Sequence, residues 1–548
     1  MQARLQKFFE AIENRSLTLG SWSIALLAII AVRIGIENAL DSLPFRFADQ
    51  FFYQFSHHLL TFTTIFLVAL PIVAWAGRVE IRQAANILLS GFLVIWTPPI
   101  VDEIISRGAG LWSFYSFDGL AGLLERYVTF FGDKPDIGIT YGVRFEVGIV
   151  ILLIALYTWT KSRSIIRTSI AGISLYTALF IIGVLPSIIT ILYWGPSLGF
   201  LAVGEHDIAR LMLSPAPLFV LNPPDIESVL AIKMSLMYGS LITLVVGLLA
   251  FRYFRDPFLA FINNVRFPQI IYHGGLFIIG GGLAAVYSDH AFRLDIFHIA
   301  AIFILLIAVC SAWLASVILN DLYDVAIDRM TNTHRPLVTG SIDPENYKTI
   351  GMILFGASIF LAAIVSTQAA LLLALYQALA FLYSADPLRL KRYPVVATAL
   401  AAMASLLVLF AGFIVFSADK NIAALPTSIS ALLFFAYLAI IPIKDFKDIL
   451  GDRADGILTL PVLLGEDRAK RLIGSFVFIV FVTSPLVLSL RPLFPLGAFF
   501  GALGYWILQL SSADHRYFSY RKLPGWFVAL AAGYGAFLAF TLANNPLQ

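Results

Sequence analysis

The sequence predicts an all-α fold: a polytopic helical membrane protein of about fifteen transmembrane helices, six N-terminal plus a nine-helix bundle. Three observations carry this. Hydrophobic residues make up 59% of the 548 and charged residues only 13%, roughly half the charged share of an average soluble domain. That composition excludes a soluble globular enzyme and a disordered chain. Apolar runs of spanning length, about 20 residues, recur along the whole chain, and they are too long and too continuous for barrel strands. Finally, if the N-terminus is placed in the cytoplasm and loops are counted alternately, 26 Lys and Arg fall in cytoplasmic segments and 8 in outer loops, the bias that orients membrane helices.

The first six runs fall near 18–40, 58–76, 84–101, 141–160, 169–194 and 229–251. The first is too long for a signal-peptide core and reads as a retained span. Within it Arg33 and Glu37 are four residues apart, so a mutual ion pair makes each tolerable in low dielectric. His57, His58 and His206 fall on the outer side with no metal-ligand spacing. The outer loops near 102–140 and 195–228 are long and rich in aromatic, Gly and Pro residues, a size often associated with function. A basic segment with Arg252, Arg255 and Arg266, and with Pro257 and Pro268, reads as a cytoplasmic linker. It divides the chain into an N-terminal membrane domain, 1–260, and a second domain, 261–548.

The next nine runs fall near 269–287, 297–319, 350–367, 368–384, 395–416, 427–444, 471–490, 493–511 and 524–543. This places residues 320–349 and 445–467 on the same, cytoplasmic side as the N-terminus and the C-terminus outside. The single cysteine, Cys310, sits in AIFILLIAVC and reads as a small buried hydrophobe. A net charge of +3 gives no reason to expect a nucleic-acid partner.

Two cytoplasmic segments of the second domain gather the scarce acids. Residues 320–349 and 445–467 hold eleven of the 34 acidic residues. In NDLYDVAIDRMTNTHRPLVTG, Asn320, Asp324 and Asp328 are spaced i, i+4, i+8, which stacks them on one helix face, with Asp321 beside them. In KDFKDILGDRADGILTLPVLLG, Asp448 and Asp452 are again four apart, with Asp445 one turn earlier. Like charges at this spacing destabilise a helix, and carboxylates at a membrane helix end cost more. Solvated acids capping their own loops are one explanation. Two such clusters on one side, each flanked by basic residues, point instead to a bound cation. Hard oxygen donors of this kind suit Mg²⁺ bridged to phosphates. Arg335, then Arg389, Lys391 and Arg392 of YSADPLRLKRYP, then Lys444 and Lys447 supply cations for a diphosphate leaving group. Tyr323, Tyr376 and Tyr383 lie near the same loops and serve either as core packing or as aromatic faces for a cationic intermediate.

On these motifs the second domain resembles the UbiA superfamily of intramembrane prenyltransferases. NDxxDxxxD followed by RPL, the YSxxPLRLKR loop and KDxxDxxGDxxxGxxTLPxxxG occur in the family's order, and Arg266-Phe267-Pro268 fits the entry to its first helix. Nine spans equal the family's number, and the resemblance covers about residues 260–548.

The resemblance implies an Mg²⁺-dependent transferase acting on a polyprenyl diphosphate within the membrane. Two ions bridge the diphosphate, one held by Asn320, Asp324 and Asp328 and the other by Asp448 and Asp452, with Asp321 and Asp445 supporting. Asp324, Asp328, Asp448 and Asp452 are then the catalytic set, and Arg335, Arg389, Lys391, Lys444 and Lys447 the diphosphate contacts. The expected partners are membrane lipids, the polyprenyl diphosphate and a lipophilic acceptor, either an aromatic or quinone-precursor ring or a glycerol-phosphate-type lipid. A non-catalytic scaffold or lipid transporter on a UbiA-like fold is the alternative. A transporter would place its ionisable groups at mid-membrane, whereas these sit at helix ends. The DGxxAR signature of CDP-alcohol phosphotransferases is absent. Residues 1–260 lie outside the resemblance, with no catalytic motif and no indicated protein partner.

Overall fold

A computed structural model describes all residues except 1, 41–48, 107–114, 133–138, 215–225, 289–294, 419, 455 and 545–548. Parts of the segments 102–140 and 195–228 therefore lie outside the described residues. The described chain is helical, with no strand among its elements. Its helices are α1 (Gln2–Glu13), α2 (Leu19–Leu40), α3 (Asp49–Gly77), α4 (Ile81–Gly91), α5 (Thr97–Ser106), α6 (Leu120–Val128), α7 (Tyr141–Ser162), α8 (Ile165–Gly183), α9 (Leu185–Leu198), α10 (Glu205–Leu213) and α11 (Ile226–Tyr253). There follow α12 (Arg255–Asn264), α13 (Phe267–Tyr287), α14 (Ile296–Tyr323), α15 (Val325–Thr331), α16 (Pro336–Thr339), α17 (Pro344–Val365), α18 (Thr367–Ser384) and α19 (Pro394–Phe416). The chain closes with α20 (Thr427–Ile440), α21 (Ile449–Ala454), α22 (Leu460–Leu464), α23 (Glu466–Val487), α24 (Phe494–Leu510) and α25 (Leu523–Asn544).

Among the described residues, fourteen helices are long and apolar enough to cross a membrane, and the chain is an integral membrane protein. They fall on the apolar runs of the sequence. The fifteenth run falls on α25, whose stretch Leu523–Leu538 is a shorter apolar helix. The run 350–384 is two helices, as its length predicts. Ser366 leaves helical geometry (φ −156°, ψ 117°) and its side chain accepts the N–H of Ala369, starting α18. The run 169–194 differs from expectation. It breaks at Val184 (φ −117°, ψ 17°), because Pro186 in the first turn of α9 supplies no N–H to continue α8. Cys310 is half-buried and free rather than fully buried.

The chain forms two compact units, Met1–Arg255 with Leu294–Ala301, and Asp256–Arg293 with Ile302–Gln548. This departs from a single cut near residue 260, because the first turn of α14 clusters with the first unit. The first unit packs α2, α3, α4 and α8 around Ile30, Phe66, Phe92, Ile95 and Ala171. Arg33 does pair with Glu37, at 2.7 Å, and His58 lies 3.2 Å from the same carboxylate. His57 and Tyr115 are hydrogen-bonded at 2.6 Å, and the Tyr115 hydroxyl donates to Tyr238 at 3.0 Å. Each of these buried polar groups is therefore met by another.

In the second unit, α13 and α19 cross where both lack a side chain. A Cβ on Gly280 would stand 2.0 Å from the Leu409 carbonyl oxygen, and one on Gly412 2.0 Å from that of Phe277. Without a hydrophobic drive between helices in lipid, such close backbone approach is what holds a pair together. A second core gathers Ile443, Phe446, Ile473, Val477, Leu508 and Phe527 under α20, α23, α24 and α25.

Candidate active site

The first acidic motif begins inside α14 and does not continue as one helix. Asp324 adopts φ −108°, ψ 12°, between α14 and α15. The i→i−4 ladder nonetheless persists across the break: Asp324 N–H donates to Asn320 C=O at 3.0 Å, Asp328 to Asp324 at 2.8 Å, and Asn332 to Asp328 at 2.8 Å. The predicted stacking survives while the axis bends. The second motif repeats the device. Residues 441–447 form a 3₁₀ helix that carries Asp445 and ends at Asp448, with φ −109°, ψ 7°, and α21 carries Asp452. Asp448 N–H donates to Asp445 C=O at 3.1 Å and Asp452 N–H to Asp448 C=O at 2.9 Å. The middle aspartate of each motif thus occupies nearly the same sparsely populated backbone region. α15 and α21 touch, and Leu458 N–H reaches Arg392 C=O at 3.4 Å, so both motifs and the basic loop share one end of the unit.

The first motif is buried and fully engaged. Asp321 is 1% exposed. It accepts from Asn264 Nδ2 at 2.7 Å, the Tyr347 hydroxyl at 2.9 Å, Arg335 Nη1 at 2.5 Å and Arg266 Nη2 at 3.4 Å. Arg335 Nη1 also lies 2.5 Å from Asp328 Oδ2, clamping two carboxylates with one guanidinium. Asn332 Nδ2 donates to Asp328 at 3.0 Å. Burial pushes the Asp328 carboxyl upward even though Arg335 opposes the shift. Asp324 holds Lys391 Nζ at 2.5 Å from both oxygens and Arg389 Nη2 at 2.8 Å. Asn320 Oδ1 accepts from Lys391 at 3.2 Å and from Ser384 Oγ at 3.2 Å. Arg389 enters this loop with φ +40°, a left-handed conformation unusual outside glycine.

The second motif is wetter. Asp445, Asp448 and Asp452 are partly exposed, and Asp448 lies 3.7 Å from Lys447. Burial first, and then the charge of Asp448, push the Asp452 carboxyl up to about 6. Lys444 is exposed, with Nζ 5.9 Å from the Tyr383 ring centroid. Tyr323 is also exposed, whereas Tyr376 is buried. The Nδ1 of His273 faces the Gln269 carbonyl at 2.7 Å and so carries the proton, which leaves Nε2 to accept from Tyr376 at 3.3 Å.

The structure therefore brings the first-motif acids together with Arg335, Arg389 and Lys391 in ion pairs, not as an open ligand set. Among the described residues no three His, Cys, Asp or Glu side chains are grouped to hold a metal ion. The expected metal ligands Asn320, Asp321, Asp324 and Asp328 have their oxygens turned onto protein cations. Asp321 in particular is an internal anchor for Arg335 and Arg266. The chemistry of the donor set still fits Mg²⁺. Asp445, Asp448 and Asp452 put three hard-oxygen donors on successive turns, the donor type that Mg²⁺ takes. Sequence patterns did not point to Asn264, Tyr347 or Ser384. They come from α12, α17 and α18; Asn264 and Tyr347 belong to no motif, and Ser384 lies in the YSxxPLRLKR motif without having been singled out. The available hints were the motif position of Ser384 and, for Asn264, a polar residue beside the Arg266-Phe267-Pro268 entry.

Comparison with known proteins agrees with these motifs. Residues 276–523 match the UbiA prenyltransferase family. The digeranylgeranylglyceryl phosphate synthase of Methanosphaera stadtmanae is 31% identical over 173 residues, 31% of this chain and 60% of that protein. That of Halobacterium salinarum is 31% identical over 205 residues, 37% of this chain and 68% of that protein. The chain thus spans about 60% of the length of the former relative. A UbiA homolog from Archaeoglobus fulgidus bound to DMAPP and Mg²⁺ aligns over 52% of this chain and 99% of its own, at 19% identity and a TM-score of 0.41. With three motifs in order and the sequence match covering them, the chain belongs to the UbiA prenyltransferase family.

Proposed function

We propose that the second unit transfers a prenyl group from a polyprenyl diphosphate to a lipophilic acceptor in the membrane, with Mg²⁺ as cofactor. The observation that carries this is the pair of matched aspartate breaks, at Asp324 and Asp448, set at one end of the unit with Arg335, Arg389 and Lys391. In the reaction the allylic C1–O bond breaks and the diphosphate leaves with the bonding pair. An acceptor atom bonds to C1, and its proton is lost. Negative charge grows on the leaving oxygens, so preplaced cations lower the barrier. Arg389 and Lys391 turn from Asp324 to the phosphate oxygens, and Arg335, held by Asp321, meets them from the other side. Lys444 and Lys447 lie beside the second motif and add positive field. Asp324, Asp328, Asp448 and Asp452, with Asn320 and Asp445, would hold Mg²⁺, two ions on the motif count, and Asp321 acts through Arg335. Bound there, Mg²⁺ supplies charge neutralisation of the diphosphate. The apolar bundle below excludes water from the allylic cation.

For the acceptor, the relatives named digeranylgeranylglyceryl phosphate synthases favour a glyceryl-phosphate lipid over an aromatic ring. The charge bias of the loops supports a cytoplasmic active site on the same side as the N-terminus, with the C-terminus outside. The test is turnover of the full-length protein with labelled geranylgeranyl diphosphate, Mg²⁺ and a panel of glyceryl-phosphate and aromatic acceptors. Product should form with the lipid acceptor and vanish with EDTA. Asp324→Asn and Asp448→Asn should each lower turnover by about 10²-fold or more. Full turnover in both variants would refute the two-motif site, and a folded protein with no product on any acceptor would favour the scaffold or transporter.

A further inference from the structure

The first unit carries a second feature at a helix end, unrelated to the aspartate motifs. Between α3 and α8 lies a groove of about 310 Å³ lined by Pro71, Ile72, Trp75, Ile170 and Ser174. Trp75 and Ile170 are each 45% exposed, so in a membrane this groove opens to lipid chains. Its end is polar. The Arg167 guanidinium lies 4.9 Å from the Trp75 ring centroid and donates to the Trp75 carbonyl at 3.1 Å. Pro71 inside α3 removes one ladder hydrogen bond and loosens that helix beside the groove.

The surrounding charge is net positive. Arg78 follows the last residue of α3 and Arg163 that of α7, both at φ +54°, and both are exposed. Arg82 follows on α4. Across residues 78–82 and 161–167 there are five cations and one acid, Glu80, while Lys161 is paired with Glu13 at 2.9 Å. Arg167 therefore stands against the groove at Trp75, and Arg78, Arg82 and Arg163 add net positive charge in the segments that flank α3 and α8 in sequence. Trp75 sits at the boundary between groove and guanidinium, where its amphipathic ring is favoured at a membrane interface. Apolar slot, interfacial indole and guanidinium together match a two-part ligand: a hydrocarbon chain carrying a phosphate.

We propose that the α3–α8 groove is a binding site for an anionic membrane phospholipid, its chain along Pro71, Ile72 and Ile170 and its phosphate at Arg167. Basic residues near a membrane surface favour anionic lipid by about fivefold each. The experiment places the full-length protein in phosphatidylcholine vesicles doped with brominated phosphatidylglycerol or, at equal mole fraction, brominated phosphatidylcholine. The emission of Trp75 is taken as the difference between the wild-type protein and Trp75→Phe. Quenching of that component should half-saturate at phosphatidylglycerol levels at least about fivefold lower than for phosphatidylcholine. Arg167→Gln should lower the preference by about fivefold, and the exposed Arg163→Gln should reduce it by less while leaving the fold intact. Equal quenching by the two lipids, or a preference unchanged in both variants, would overturn the proposal and leave Trp75 as an ordinary interfacial tryptophan.

Discussion

Asp324 is 8% exposed, with an ammonium and a guanidinium on its carboxylate. Removing one partner of a buried pair costs far more than the pair is worth, because the remaining charge stays desolvated. Lys391→Met should lower stability by about 3–5 kcal/mol, read as a fall in melting temperature in detergent. Added Mg²⁺ should raise the melting temperature of that variant more than that of the wild type. Tyr347→Phe removes one of four donors to Asp321 and should cost about 1–3 kcal/mol, with the prenyl-transfer defect confined to variants that loosen Arg335. At this scale the sequence was partly legible. Carboxylates at i, i+4 spacing, together with arginines in the neighbouring loops, show that charge is being concentrated. They do not show which oxygen faces which cation. The division of labour between Asp321, an anchor, and Asp324, paired with two cations, depends on Asn264 and Tyr347, which lie 57 and 26 residues from Asp321 in the chain.

Helices were legible because a spanning segment must satisfy its own backbone in lipid, so length and apolarity alone nearly define it. Breaks within helices were not. The bends at Asp324 and Asp448 keep most of the hydrogen-bond ladder and leave no glycine or proline at the bend itself, so nothing in composition announces them. The α8–α9 break is the opposite case, since Pro186 does announce it, but the apolar run continues through it and masks the signal. The α13–α19 crossing gives a sharp test at this scale. Gly412→Val would place side-chain atoms against the Phe277 carbonyl, where backbone cannot yield cheaply. The expected loss is about 1–3 kcal/mol or more, measured by thermal unfolding, with Gly282→Ala, which meets nothing within 4 Å, as the neutral control.

For the whole molecule, low charge reads directly as a membrane-embedded helical body, and the clustering of the remaining acids points to the candidate site within it. The compact units were less legible. The first turn of α14 clusters with residues 1–255, and no composition shift marks that crossing of the chain. Every residue named in the aspartate site lies in the second unit. A chain of residues 256–548 should therefore retain Mg²⁺-dependent prenyl transfer per folded molecule while melting at a lower temperature, because residues 295–301 lose their companions. Loss of turnover in a folded truncation would show that the first unit takes part in catalysis.

The ion pairs of the first motif have a consequence for how the proposed site fills. Lys391, Arg389 and Arg335 act as resident counter-ions for its aspartates. A metal arriving alone would have to evict them, and a diphosphate arriving alone would draw them away and strand the carboxylates. When both arrive, each charge changes partner and none is left bare. Loading then resembles a double exchange reaction, in which each ligand tightens the other's binding by the same factor. Calorimetric titration of Mg²⁺ with and without a non-hydrolysable prenyl diphosphate analogue should show that reciprocity, and Lys391→Met should weaken it.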